Sequence, residues 1–286
     1  MKLDQKLAVL ISGSYRNFDD IWPRNKEILD SLGVPYDVYF HTWTLNPNIT
    51  SNVLELKYQN KFYLSLLPKI YVDFPDNFSV DSIKDKFGFY SIEVEEFDEN
   101  RISNEYKLGS RNTNTLFQSQ LNSCGMYLGI DACYKKIDYS RNYSHFLRLR
   151  PDFLLGATNI EQLFNCDLIF LGQLLLTDEG LIGDQCYGGD FSTSSCVFNT
   201  LDCLHEVTHS PDWDITKPVA LAENIIRLTI KEIRTELKIL FFPGSGSIQR
   251  PEIKYSFRLF GKSFLLDLLQ HNLFVALKRI DKLIYS

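Results

Sequence analysis

Leu7 to Ile11 (LAVLI) is an unbroken apolar run of strand length, the pattern of a strand buried on both faces of a parallel sheet. A polar loop from Ser12 to Asn17 follows. Ile21, Ile28, Leu29 and Leu32 then mark a helix from Asp20 to Leu32, with Asp19 or Asp20 as its cap, Pro23 in its first turn and Gly33 as its stop. Asp37 to His41 reads as a second strand, so the first 41 residues predict a β-loop-α-β unit with a right-handed crossover. Weaker strand patterns fall at Lys69 to Asp73 and Ile92 to Phe97, and clearer ones at Phe146 to Arg150, Asp167 to Leu171 and Ile239 to Phe242. Phe117, Leu121, Cys124 and Leu128 carry a long helix from Thr115 to Lys136, and shorter helices fit Ser194 to Thr208 and Pro218 to Leu237. The pattern predicts an α/β fold: one Rossmann-like domain over residues 1–249, with a mostly parallel central sheet flanked by helices.

Composition narrows the function. With 286 residues, 44% hydrophobic, the chain can bury a large core. A net charge of −6 excludes a general nucleic-acid binder, which neutralises phosphates with a basic surface. Residues 250–286 differ, with seven Lys and Arg against three Asp and Glu. Leu265, Leu269, Leu273, Leu277, Ile280 and Ile284 there predict a basic amphipathic helical tail, packed on the domain or on an anionic membrane surface. The six cysteines form no C-x-x-C pair, and no apolar run reaches the length of a membrane span. The expected location is the cytoplasm, with peripheral contact at the inner face of the membrane.

Four segments carry candidate chemistry. Ser12-Gly13-Ser14-Tyr15-Arg16 lies between the first strand and first helix, where α/β sheets bind ligands; Gly13 permits close backbone approach and Arg16 offers a fork to a diphosphate. Its plain alternative is an ordinary turn. In His41-Thr42-Trp43 the indole can stack on a base or sugar and His41 or Thr42 can bond a ribose, unless Trp43 belongs to the core. In Phe146 to Asp152, a two-residue period puts Arg148, Arg150 and Asp152 on one face: two cations for a diphosphate, and a carboxylate for a divalent metal or the donor sugar, unless the segment is a solvated edge strand with an Arg-Asp pair. Gly183 to Asp190 (GDQCYGGD) supplies Asp184 or Asp190 as a base for an acceptor hydroxyl, or is simply a hairpin with a Gly-Gly turn. Two further signals argue for little. Asp212-Trp213-Asp214 has loop composition, and His205 and His209 lack a third ligand for zinc.

In that order, I-S-G-S-Y-R (Ile11 to Arg16), D-V-Y-F-H-T-W (Asp37 to Trp43), the Gln/Ser helix around Gln118 to Ser123, R-L-R-P-D (Arg148 to Asp152) and G-D-Q-C-Y-G (Gly183 to Gly188) resemble the WavE-type lipopolysaccharide and capsule glycosyltransferases of bacteria. The resemblance spans residues 7 to 240. It implies a GT-A-like fold, a nucleotide-sugar donor and a lipid-linked or oligosaccharide acceptor. By it, Gly13 and Arg16 sit at the nucleotide, Arg150 and Asp152 at the diphosphate or its metal, and Asp184 near the acceptor; Ser12, Tyr15, His41, Trp43 and Arg148 join the expected nucleotide-sugar site from their places in these segments. The lone Asp152, where many GT-A enzymes carry D-x-D, leaves open whether Mn²⁺ or Mg²⁺ is used. A sugar-phosphate transferase and a non-catalytic nucleotide- or glycan-binding subunit remain the alternatives.

Overall fold

Every residue of Leu7–Ser12 (β1) is buried, because β1 lies inside a sheet covered on both faces. The structure, a computed structural model, describes residues 5–15, 18–44, 71–72, 80–108, 117–172, 175–177, 180–211, 221–231, 236–248, 255–259 and 262–265. The remaining strands are β2 (Tyr36–Thr44), β3 (Tyr71–Val72), β4 (Ser91–Glu96), β5 (His145–Leu149), β6 (Phe153–Leu155), β7 (Leu168–Gly172), β8 (Leu175–Thr177), β9 (Gly180–Ile182), β10 (Cys186–Asp190), β11 (Ile239–Pro243), β12 (Gly246–Ile248), β13 (Tyr255–Leu259) and β14 (Lys262–Leu265). The helices are α1 (Phe18–Ser31), α2 (Val80–Phe87), α3 (Glu99–Glu105), α4 (Phe117–Lys135), α5 (Ser194–Val197), α6 (Thr200–His209) and α7 (Leu221–Ile230).

The chain divides into two compact units. The first comprises Met1–Thr44 and Ser79–Arg250 and holds a seven-stranded sheet in the order β11-β7-β10-β5-β1-β2-β4. Neighbours run parallel except around β10, which is antiparallel to both β5 and β7. This is the expected α/β architecture, a mixed and mostly parallel sheet flanked by helices. One face receives α1, whose Phe18 ring lies 4.8 Å from that of Phe40. The opposite face receives α4, whose Cys133 thiol lies against the carbonyls of Ile11 and Tyr39.

The first β-loop-α-β unit matches its prediction, with small shifts. Helix α1 begins at Phe18, so Pro23 falls in its second turn and Asp19 and Asp20 lie within the first turn instead of capping it. The single helix expected over Ser194 to Thr208 is two, α5 and α6, parted by Phe198 and Asn199.

The second unit comprises Leu45–Phe78 and Pro251–Ser286, with a three-stranded sheet β14-β13-β3. Here the expected helical tail is corrected at its start: Lys262–Leu265 is a strand, paired antiparallel with β13. In Tyr255–Leu259 apolar and polar residues alternate with period two, which suits a strand. Residues 266–286, where most of the amphipathic pattern falls, lie outside the described residues. Among the described residues no helix is long and apolar enough to cross a membrane.

Candidate active site

Parallel strands β1 and β5 end together, with β2 running on to Thr44 beside them, and the predicted site residues other than Asp190 lie at or near those ends. Gly13 follows β1 with a φ of +135°, backbone that a side chain rarely adopts, and a Cβ there would come within 3.1 Å of the Pro151 ring. The glycine loop is thereby pressed onto the Arg150-Pro151-Asp152 turn. Helix α1 fixes β6, which follows that turn: the Asn25 amide donates to the Phe153 carbonyl at 2.7 Å and accepts from the Leu155 N–H at 2.9 Å. Asn25 carries no ligand-binding pattern in the sequence, and its signal there is that it is the polar member of the buried stripe Ile21, Asn25, Leu29.

The alternation that would put Arg148, Arg150 and Asp152 on one face stops at Leu149, where β5 ends. Arg148 is fully buried and donates through Nη1 to the carbonyls of Asp184 and Gln185, while its guanidinium lies 5.6 Å from the centre of the Tyr187 ring. Arg150 is partly exposed and forks onto Asp152, with Nε 3.0 Å from Oδ1 and Nη2 3.2 Å from Oδ2. Its Nη1 lies 3.8 Å from the Asp184 carboxylate, and its backbone N–H donates to the Gln185 carbonyl. Two guanidiniums therefore meet residue 184, Arg148 at its carbonyl and Arg150 at its side chain. Gln185 and Tyr187, also unforeseen, complete this grip.

The fork on Asp152 bears on metal binding. Both carboxylate oxygens accept from Arg150 and the side chain is only 1% exposed, so a divalent ion would have to displace the guanidinium. No group of three His, Cys, Asp or Glu side chains gathers among the described residues either. Asp152 in this arrangement does not fit a Mn²⁺ or Mg²⁺ site, one of the two roles the sequence offered for it.

Other candidates are displaced. Asp190 sits opposite His145, at the start of β5, because β10 runs against its neighbours; there it accepts from the Ser192 N–H and caps a short 3-10 turn. It does not join Asp184, which precedes the other end of β10. Gly188 and Gly189 form no turn but lie within β10, between β5 and β7. Trp43 is buried edge-on to His41 and Phe97, and Tyr15 is a core ring beside Phe18 and Phe40 whose hydroxyl donates to Asp19. Neither aromatic presents an open face. Ser12 is fully buried too. Arg16, Asp212 and Asp214 lie outside the described residues. His205 and His209 stack on each other on α6, with ring centres 3.8 Å apart.

His41 is fully buried beneath α4, where Gly129 leaves room for its ring, and its Nε2 lies 3.4 Å from the Glu95 carboxylate. Burial lowers its pKa and outweighs the opposing pull of Glu95 and Glu93, so the folded protein resists protonating it. The unfolded chain takes up that proton near pH 6.5, so below this pH the unfolded state binds more protons and stability falls as pH falls. Thermal melts between about pH 7.5 and about 5.5 are expected to show a drop in Tm that His41→Gln reduces; equal drops in both proteins would contradict this.

No protein-family model matches the chain, and no curated protein sequence matches it. Among solved structures it is similar to the inositol-1-phosphate CTP transferase from T. maritima, with 7% sequence identity and a TM-score of 0.38 over 86% of this chain and 90% of that one.

Proposed function

We propose that the protein transfers a sugar from a nucleotide-sugar donor to a lipid-linked or oligosaccharide acceptor in the synthesis of a bacterial surface polysaccharide. The observation that carries this reading is Arg150, partly exposed beyond the end of β5 and held between Asp152 and Asp184 beside the glycine loop. A cation at the strand ends of an α/β sheet, next to a loop whose backbone a ligand can approach, suits a diphosphate. The motif order from Ile11 to Gly188 adds the transferase class, and the mixed, mostly parallel sheet agrees with the domain such an enzyme needs.

In this reading the oxygen of an acceptor hydroxyl forms a bond to the anomeric carbon of the donor while the bond from that carbon to the diphosphate breaks. Asp184 takes the hydroxyl proton, and Arg150 offsets the charge left on the departing nucleoside diphosphate. Gly13 lies beside the nucleotide, and Arg16 adds a second cation from the glycine loop. His41, Trp43 and Tyr15, being buried, support the strand ends from within instead of touching the ligand.

A thermal-shift screen of nucleotide sugars, with and without Mn²⁺, tests the donor class. A ligand that binds only the native state at about a hundred times its Kd adds about 2.7 kcal/mol of stability. At least one nucleotide sugar is expected to raise Tm without a divalent ion. No rise with any nucleotide, nucleoside diphosphate or nucleotide sugar would overturn the reading.

A further inference from the structure

Arg148 is the largest fully buried side chain among the described residues, and its bonding is incomplete. Nη1 is used on the carbonyls of Asp184 and Gln185, but Nε and Nη2 are buried with no hydrogen-bond partner. Carbonyl oxygens do not neutralise a cation, and among the described residues no carboxylate forms an ion pair with Arg148. The buried thiols nearby do not neutralise it either: burial pushes Cys133 and Cys186 upward, so both stay protonated. Burial also raises the Tyr187 phenol, to about 12, so it is neutral as well.

A buried guanidinium with open donors and no counter-charge is costly, and folded proteins leave few such groups unmatched. Nor is it isolated. Tyr187 pairs with Arg148 across β5 and β10 on the α4 side of the sheet, and its hydroxyl is also buried without a partner. Ser12 lies on that same side, two residues beyond the Leu10 that stands opposite Arg148, and its hydroxyl too is unpartnered. The unsatisfied donors therefore collect at the end of the sheet where β1 and β5 finish, next to residue 184.

We infer that Arg148 is the cation of a buried oxyanion subsite, completed when a phosphoryl group of the ligand accepts from its Nε and Nη2 and from the Tyr187 and Ser12 hydroxyls. The inference rests on the reading of these strand ends as a nucleotide-sugar site, and it divides the work there. Arg150 takes one phosphoryl group of the diphosphate at the surface and Arg148 takes the other within. The two cations flank residue 184, so a diphosphate between them lies beside the carboxylate assigned to the acceptor proton.

Calorimetric titration of the full chain with pyrophosphate tests the subsite. Tyr187→Phe and Ser12→Ala each remove a hydroxyl that bonds nothing in the free protein, so Tm should stay at the wild-type value. A hydrogen bond to a charged group is the interaction lost, and pyrophosphate affinity should fall about tenfold for Tyr187→Phe. Arg148→Met should abolish binding and Arg148→Lys restore part of it. If Arg148→Met does not fold, Tyr187→Phe alone decides. Wild-type affinity in Tyr187→Phe and Ser12→Ala together, with pyrophosphate still lost in Arg150→Ala, would overturn the subsite and leave the donor reading standing. Absence of pyrophosphate and nucleotide binding in the wild-type protein would sink both.

Discussion

Gly189→Ala is expected to cost the fold about 4 kcal/mol or more and to lower its urea midpoint sharply. Gly189 lies in β10, with β5 on one side and β7 on the other. A Cβ there would stand 2.1 Å from the Asp167 carbonyl oxygen, 2.8 Å from its carbon and 2.9 Å from the Leu168 Cα. All three are backbone atoms, so no side chain can swing aside; relief requires parting β10 from β7 inside the sheet. Overpacking against side chains costs about 1–3 kcal/mol, and a backbone collision within a buried sheet should reach about 4 kcal/mol or more. That is a large share of the roughly 5–15 kcal/mol that holds a domain folded. Gly33→Ala is the control. Gly33 has a positive φ of +65° but nothing within 4 Å of an added Cβ, so only the backbone strain of about 1–2 kcal/mol applies. Urea denaturation of the two variants should separate them clearly. A Gly189→Ala midpoint equal to that of Gly33→Ala would contradict the packing described.

Arg150→Ala is expected to lose sugar transfer and about 3 kcal/mol of stability together. The sequence offers this segment as a ligand contact or as an exposed Arg-Asp pair, neither of which would cost much stability. The structure adds a second effect, because the side chain of Asp152 is 1% exposed and both its oxygens accept from the Arg150 fork. Removing one partner of a buried ion pair leaves a carboxylate out of water and costs about 3–5 kcal/mol; the low end applies here because Arg150 itself reaches solvent. Asp152→Asn keeps the shape, removes the buried charge and should cost less. Arg150→Lys supplies a point charge that cannot fork, so it should recover more stability than transfer. Wild-type stability and turnover in Arg150→Ala would refute both the pair and its role. Both are read from urea melts and donor consumption on the same preparations.

The sequence makes the central strands legible because LAVLI (Leu7 to Ile11) and LIFL (Leu168 to Leu171) are apolar at every position, which only a sheet covered on both faces demands. The Arg-Pro-Asp turn is legible for a similar reason: charge following such a strand marks its end. What composition cannot reveal is strand direction. Gly188-Gly189 has the composition of a turn, yet both residues serve close packing in a reversed strand, and that reversal sends Asp190 to the opposite end of the sheet from Asp184. Nor can a two-residue period survive a strand end, so Arg148 and Arg150 part company: one lies under α4 and the other lies at the surface. Trp43 and Tyr15 show a different limit, since an aromatic at a strand end suits a ligand platform and a core equally well until its neighbours are known. Asn25 bonds backbone more than a hundred residues away, a long-range contact that no local pattern encodes.

We propose that the strand ends of β1 and β5 transfer a sugar from a nucleotide donor. The most direct measurement incubates the full chain with the nucleotide sugar that most raises its Tm and with a glycan acceptor, then identifies the nucleotide released. A nucleoside diphosphate is expected, formed in step with a lengthened acceptor and lost in Arg150→Ala. Release of a nucleoside monophosphate with a sugar phosphate joined to the acceptor, or donor bound but never consumed, would contradict it.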